Sequence, residues 1–160
     1  MKVLPILWLT GQPGSGKTTI SNFIKKINDK ENVLGNNTVL VQIDGDDLRS
    51  LTSNVDYSQD GRIKNIKLSQ SIAEFCQAKG FFVIVSLVAP YLDLREELKN
   101  RKTVLEVYLH TSEKRGKEDF FVKNYEKPIN NFIDLDTTNK TVEECSNEIL
   151  TIYRKMATLA

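Results

Sequence analysis

The 160-residue sequence has few of the residues that bind transition metals or form disulfides, with one histidine and two cysteines. Cys76 and Cys145 lie far apart and form no CxxC pair, so they are predicted to be small buried residues in a reducing compartment. His110, at the end of a predicted strand, is more typical of an ordinary polar residue than of a catalyst or ligand. The sequence therefore predicts no structural zinc site.

Strong charge and long apolar runs are also missing. The net charge is +1, which gives no field that would attract a nucleic acid or an anionic membrane. No apolar run reaches the roughly 18 residues that a transmembrane helix requires. Residues 1–9 run straight into a Gly-rich loop and lack the features of a signal sequence. We therefore expect a cytoplasmic protein that binds neither nucleic acid nor membrane.

Short apolar runs alternate with longer segments of helical period. The runs predict buried strands at residues 4–10, 39–43, 81–88, 104–109 and 132–135. Helices are predicted after the Gly-rich loop, at 63–79 with Phe75 inward, at 94–101, and from a capping box at 141–144 with Ile152 inward. Because strands and helices alternate, the expected fold is α/β, with a five-stranded, mostly parallel sheet and helices on both faces. Residues 1–160 are expected to form a single domain.

Phosphate-binding chemistry is indicated by Gly-Gln-Pro-Gly-Ser-Gly-Lys-Thr at residues 11–18. This segment matches the P-loop pattern and lies between a predicted strand and a predicted helix. Its glycines let backbone N–H groups converge on a polyphosphate, and the helix N-terminus adds its dipole. Lys17 is expected to reach the β- and γ-phosphates of ATP, and the Thr18 hydroxyl to bind Mg²⁺. The predicted ATP-binding residues are Gly11, Gly14, Ser15, Gly16, Lys17, Thr18 and Thr19.

Other features separate kinases from the remaining P-loop proteins. Asn-Lys-Thr-Val at 139–142 lacks the aspartate of a guanine-specifying motif, and ATPase motors normally have larger chains, so a small-molecule kinase is favoured. Asp44 and Asp46 follow the second strand, and on an extended segment they would face one space at the ligand-binding edge of the sheet. One could orient or deprotonate an acceptor hydroxyl and the other could hold a Mg²⁺ water. A solvated acidic turn is the alternative.

Four segments together resemble the adenylylsulfate kinases. They are the P-loop at 11–19, Ile-Asp-Gly-Asp-Asp-Leu-Arg at 43–49, the stretch at 57–66 from Tyr to Ile, and Ser-Leu-Val-Ala-Pro-Tyr-Leu-Asp-Leu-Arg at 86–95. The resemblance implies a P-loop kinase that uses ATP and Mg²⁺ to phosphorylate the 3′-hydroxyl of a nucleotide, adenylyl sulfate, in sulfate assimilation. Family members are commonly homodimers, so it implies a homodimer as well.

The resemblance also implies roles for individual residues. Asp44 would be the base or the carboxylate that orients the acceptor, and Tyr57 would stack on the acceptor's base. The other residues implied to bind the acceptor are Asp46, Arg49, Arg62 and Asn65. Independently, arginine side chains offer planar forks that suit phosphate or sulfate oxygens.

The end of the third strand carries further candidates for acceptor binding. Ser86 and Tyr91 flank this end, at the edge where doubly wound sheets bind ligands. Tyr91 fits substrate contact and core packing equally well. Arg95 is interpreted either as a substrate contact or as a solvated helix residue.

The last third of the chain departs from the family pattern. Family members have a long lid with Arg-Asp-Pro-Lys-Gly-Leu-Tyr after the fourth strand, whereas here the lid shrinks to about residues 112–127. Lys114, Arg115 and Lys117 form a basic cluster in it. Arg115 is predicted to neutralise charge on the transferring phosphoryl group. A mixed-charge surface loop is the alternative.

The short lid, and Ala89 where the family has serine, leave the acceptor open. An adenylylsulfate kinase is the first hypothesis. The second is a cytidine diphosphoramidate kinase of capsule polysaccharide synthesis, because those enzymes resemble adenylylsulfate kinases. The third is a nucleotide-binding module without phosphotransfer, against which the intact Lys17, Thr18 and Asp44 argue.

Overall fold

The computed structural model describes residues 3–35 and 37–159, which are built around one five-stranded sheet. Its strands are β1 (Ile6–Thr10), β2 (Leu40–Asp44), β3 (Phe82–Ser86), β4 (Val104–His110) and β5 (Phe132–Asp136). All neighbouring strands are parallel, in the order β2-β3-β1-β4-β5. After β1, the chain forms β2 and β3 on one side of β1, and then β4 and β5 on the other side. The carboxyl end of β1 therefore lies at the switch point where doubly wound sheets bind ligands.

Helices cover both faces of this sheet. They are α1 (Lys17–Glu31), α2 (Gly45–Thr52), α3 (Gln59–Ala78), α4 (Leu92–Arg101) and α5 (Val142–Leu159). Helices α1 and α5 bury an apolar cluster that contains Leu7 and Ile24. Helices α2, α3 and α4 bury a second cluster, around Trp8 and Ile66, on the opposite face. Burial from both sides explains the nearly unbroken apolar sequences of β1 and β3. The predicted α/β fold is confirmed.

Helix α2 is the main difference from the sequence prediction, which has an extended segment after the second strand. The Asp44 carboxylate accepts a hydrogen bond from the Asp46 N–H at 2.9 Å and so caps α2. Gly45 lets the helix begin close to the end of β3, since a Cβ there would lie 2.7 Å from Leu87 Cδ1. The expectation that Asp44 and Asp46 are alternate residues of one extended segment is therefore wrong.

Two side chains predicted to face inward are exposed. Phe75 is 63% exposed, because nine residues at about 100° each place it on the opposite side of α3 from buried Ile66. Ile152 is 38% exposed, whereas Ile149 and Tyr153 are fully buried. The stripe that α5 presents to the core contains Cys145 and Ile149 as predicted, but it extends toward Tyr153 and not toward Ile152.

The connection between β4 and β5 contains the predicted lid. Its regular structure is one 3₁₀ turn at Glu118–Phe120, and residues 112–120 are exposed. In the part of the chain that the structure describes, no helix combines the length and apolar composition required to cross a membrane.

Candidate active site

Residues 11–16 form a tight loop between β1 and α1. Gly11 has φ +148°, and a Cβ on it would lie 2.2 Å from the carbonyl oxygen of Leu109. Gly16 caps α1 in the left-handed region, at φ +104°, without a side-chain hydrogen bond to the first turn. Other residues would be strained at both positions. No side-chain cap takes up the N–H groups at the start of α1, so they can bind an anion.

Lys17, the first residue of α1, is buried against this loop. Its ammonium donates hydrogen bonds to the carbonyl oxygens of Gly11 and Gln12 at 2.9 and 2.8 Å, and to Ser15 Oγ at 3.3 Å. Burial lowers the pKa of Lys17 to about 8, although nearby aspartates act in the opposite direction. A buried cation therefore lies against the phosphate-binding loop.

Thr18 and Asp44 connect the loop to α2. The Thr18 hydroxyl donates a hydrogen bond to Asp44 Oδ2 at 2.8 Å, while Asp44 Oδ1 caps α2. Mg²⁺ prefers oxygen ligands and is usually held by one or two carboxylates together with substrate phosphates and water. The Thr18 hydroxyl fits as a ligand of such a site, and the Asp44 carboxylate beside it can accept hydrogen bonds from metal-bound water. Among the described residues, no cluster of three or more His, Cys, Asp or Glu side chains could hold a metal by itself.

A cavity of about 70 Å³ lies beside the start of α2. It is lined by five of the seven residues predicted to bind the acceptor, namely Asp46, Arg49, Tyr57, Arg62 and Asn65. Arg49 Cζ lies 4.1 Å and Arg62 Cζ 5.6 Å from the centre of the Tyr57 ring. Two guanidinium groups and an aromatic ring can bind a ligand that has both anionic groups and a planar base.

The loop that carries Tyr57 is fixed by hydrogen bonds within residues 49–61. Arg49 Nη1 donates to the carbonyl oxygens of Asn54 and Asp56 at 3.1 and 2.7 Å. Asn54 Nδ2 donates to the Gly61 carbonyl oxygen at 3.1 Å. Gly61 lets the Asp56 backbone pack closely against the start of α3, because a Cβ at position 61 would lie only 2.1 Å from the Asp56 carbonyl oxygen. The position of Tyr57 is thus tied to that of Arg49.

The other two predicted acceptor residues lie outside the lining of this cavity. Ser86 is buried at the end of β3, beside Asp44 in the sheet register, and its hydroxyl has no hydrogen-bond partner among the described residues. Tyr91 precedes α4 and lines a separate cavity with Ile63 and Lys67. Its ring is partly buried against the core cluster around Ile66, as the packing alternative predicts.

The short lid lies directly on the phosphate-binding loop. Arg115 donates hydrogen bonds to the carbonyl oxygens of Gly14 at 3.2 Å and Thr137 at 3.3 Å. The Gln12 side chain makes a second contact, with the backbone of Val122. Sequence reasoning missed this contact, because Gln12 occupies a variable position of the P-loop pattern and Val122 is 110 residues away.

Arg95 is buried, so its interpretation as a solvated helix residue is wrong. Arg95 also does not line the cavity beside α2. Its side chain is 1% exposed and pairs with the equally buried Glu106 at 2.8 Å. It also donates to the carbonyl oxygens of Ala89 and Glu126. Ala89, at φ +42°, belongs to the cavity wall. Arg95 therefore connects one residue of the wall of this cavity to the end of the lid.

A glycine loop between the first strand of a five-stranded parallel sheet and α1, with a polar cavity nearby beside α2, defines a P-loop kinase. The chain belongs to the adenylylsulphate kinase family, whose profile matches residues 4–149. It is a phosphotransferase with a hydroxyl group as acceptor.

Individual relatives and solved structures agree with this assignment. The adenylyl-sulfate kinase of Burkholderia ambifaria is 30% identical in an alignment that covers 94% of this chain and 91% of that protein. The cytidine diphosphoramidate kinase of Campylobacter jejuni is 31% identical over 136 residues, which cover 82% and 77%. The Mycobacterium tuberculosis APS kinase CysC in complex with AMPPNP and APS has the same fold, with a TM-score of 0.77 at 20% identity over 95% of this chain and 98% of that chain.

The lowered pKa of Lys17 predicts that nucleotide binding takes up a proton at alkaline pH. With a pKa of about 8, the free ammonium is mostly deprotonated at about pH 9. A bound polyphosphate favours the charged form, so binding at about pH 9 takes up nearly one proton, and binding below about pH 7 almost none. ATP affinity should therefore be constant below about pH 8 and fall by up to about tenfold per pH unit above it.

Calorimetric titration with Mg·ATP, in buffers of different ionisation enthalpy, measures this uptake. In Lys17→Arg the guanidinium stays charged throughout, so the uptake should vanish even where binding is weaker. Uptake that persists in Lys17→Arg would assign the proton to another group. No uptake in the unmodified protein at about pH 9 would contradict the lowered pKa.

Proposed function

We propose that this chain transfers the γ-phosphate of ATP to the 3′-hydroxyl of adenylyl sulfate. The observation that carries the proposal is the position of Asp44, which contacts Thr18 of the donor loop and caps the helix that lines the acceptor cavity. Phosphoryl transfer needs two bound substrates at adjacent positions. The adenylyl-sulfate kinase of B. ambifaria, which is similar over most of both chains, supports this acceptor.

On the donor side, the ATP phosphates bind to the backbone N–H groups of residues 11–19. Lys17 turns from the loop carbonyls to the β- and γ-phosphates, where its charge stabilises them. Thr18 is the residue that would hold Mg²⁺, which would neutralise phosphate charge there. Arg115, which contacts Gly14, compensates the charge that develops on the transferring group.

On the acceptor side, Asp44 orients the attacking hydroxyl and accepts its proton. The carboxylate can do so while it accepts its two protein hydrogen bonds, because its oxygens have about four lone-pair sites. Arg49 and Arg62 bind the phosphate and sulfate oxygens, and Tyr57 stacks on the base. The side-chain oxygen of Asn65 is buried without a partner among the described residues, so it is available to a donor group of the acceptor.

Cytidine diphosphoramidate is the second candidate acceptor. The Campylobacter jejuni relative, which is named as a cytidine diphosphoramidate kinase, is as similar to this chain as the adenylyl-sulfate kinases are. The lid, moreover, contacts the phosphate-binding loop through Arg115 and Gln12 and has no long helix to cover the acceptor cavity.

An ADP-release assay with Mg·ATP, in which adenylyl sulfate and cytidine diphosphoramidate are offered in parallel, decides between the acceptors. Turnover with adenylyl sulfate is the expected result. Turnover with the cytidine compound alone would replace the first proposal by the second. No turnover with either would reject both acceptors. Light scattering on the same preparation tests the homodimer that the family resemblance implies.

A further inference from the structure

Two separate contacts join the lid to the phosphate-binding loop. At one, Arg115 donates to the Gly14 carbonyl oxygen at 3.2 Å, and a Cβ on Gly14 would lie 3.1 Å from Lys117 Cβ. At the other, Gln12 contacts Val122. The lid segment between Arg115 and Val122 is therefore attached at both of its ends to a loop of only six residues.

The contact between Gln12 and Val122 is reciprocal. Gln12 Nε2 donates to the Val122 carbonyl oxygen at 2.8 Å, and the Val122 N–H donates to Gln12 Oε1 at 2.9 Å. The carboxamide thus pairs with the backbone in the way that a neighbouring strand would. Both hydrogen bonds are partly buried, so replacing them by hydrogen bonds to water costs free energy. We call this pair of bonds the Gln12 clamp.

The clamp has a consequence for Arg115. Nearly all of the lid between Arg115 and Val122 is exposed and has no packed core of its own, so its position depends on its two ends. At the first end, Arg115 is also held by its ion pair with Glu113 at 2.7 Å and by the Thr137 carbonyl oxygen, and the Gln12 clamp adds the restraint at the second end. Arg115 Nη1 is close to the start of α1, since a Cβ on Gly16 would lie 3.6 Å from it. If the Val122 end is released, the whole segment gains freedom and Arg115 is held less often over the phosphates.

We propose that Gln12 is a positioning residue for phosphoryl transfer, which clamps the lid so that Arg115 stays over the phosphate-binding loop. This inference rests on the role in transfer that the proposed function gives to Arg115. The phosphates bind to backbone groups and Lys17, whereas the Gln12 amide is engaged with the lid. Gln12 acts on catalysis through the lid and contributes little to ATP affinity.

The variant Gln12→Met tests the proposal, because methionine has a similar length but makes neither hydrogen bond. Without nucleotide, the Val122 amide should exchange its hydrogen at least about tenfold faster in Gln12→Met than in the unmodified protein, because it has lost its hydrogen bond to Gln12. We expect kcat to fall about tenfold, while the Kd for Mg·ATP changes less than about threefold. Gln42→Met is the matched control, since Gln42 also makes two side-chain hydrogen bonds, to Ser21 and Asn22, but lies away from the lid.

A double-mutant cycle with Arg115→Ala separates positioning from a general structural role. If Gln12 acts through Arg115, Gln12→Met lowers kcat in the unmodified protein but causes no further loss in Arg115→Ala. Equal losses in both backgrounds would overturn the proposal. So would unchanged Val122 exchange in Gln12→Met, or faster exchange with unaltered kcat.

The readouts also separate this inference from the choice of acceptor. Turnover is measured with whichever acceptor the parallel assay identifies. If it identifies none, the slow hydrolysis of ATP, with water as acceptor, takes its place in the cycle. The exchange measurement needs no acceptor, so failure of the proposed acceptor and failure of the clamp give different results.

Discussion

Asp44→Asn should lower kcat by about 10²- to 10⁴-fold, the usual contribution of a group that accepts the proton of a nucleophile. Asparagine is a good N-cap, so Asn at position 44 can still accept the Asp46 N–H and keep α2 in place. The fold and the acceptor cavity should therefore persist. The affinity for Mg·ATP should change by only a few fold. Steady-state kinetics, calorimetric ATP binding and thermal unfolding provide the three measurements.

Asp47→Asn is the matched control for this variant. Asp47 is the exposed third residue of the same helix, so its substitution removes the same charge and should leave kcat within about twofold. If ATP affinity falls as far as kcat in Asp44→Asn, the carboxylate acts on the bound nucleotide and its metal, and the acceptor role is wrong.

Glu106→Gln should be the most destabilising single change considered, because it leaves two cations beside a neutral side chain in the core. Glu106 is 1% exposed and pairs with Arg95 at 2.8 Å and with Lys99 at 2.6 Å. Removing one partner of a buried ion pair costs about 3–5 kcal/mol. At about 2–4 °C per kcal/mol for a chain of this size, Tm should fall by roughly 6–20 °C.

Glu148→Gln provides the matched comparison at the surface. Glu148 pairs with Lys140 at 3.0 Å, but both side chains are about 40% exposed, and such pairs contribute less than about 1 kcal/mol. Thermal unfolding of the two variants side by side checks the prediction. A similar, small Tm change for both would show that burial of the Glu106 network adds no stability.

The parts of the site that the sequence predicts are those with local determinants. The phosphate-binding loop is specified within eight residues, by glycines whose backbone angles other residues do not readily adopt. The strands around it follow from apolar runs that only a sheet buried on both faces explains. The family resemblance predicts that Arg49, Tyr57 and Arg62 bind the acceptor, and the structure brings these three residues to one cavity.

The parts that the sequence does not predict depend on distant or competing interactions. Helix α2 begins where Asp44 caps it, and this local hydrogen bond outweighs the extended conformation expected after a strand. The residues around Arg95 in the sequence have an ordinary helical pattern. The carboxylate that allows Arg95 to be buried belongs to Glu106 of β4. The Gln12 clamp joins residues that are 110 positions apart, for which no local pattern exists.

The polar lining of the acceptor cavity has a simple origin in the chain. All of its charged and hydrogen-bonding side chains, from Asp46 to Asn65, come from α2, the following loop and the start of α3, while the turn after β3 adds an apolar wall. That stretch is also held together by its own hydrogen bonds, from Arg49 to Asp56 and from Asn54 to Gly61. Under the proposed function, acceptor preference is therefore encoded in one stretch of about twenty residues. The proposed function then implies that exchanging this stretch between relatives would change the acceptor while the sheet and the phosphate-binding loop stay the same.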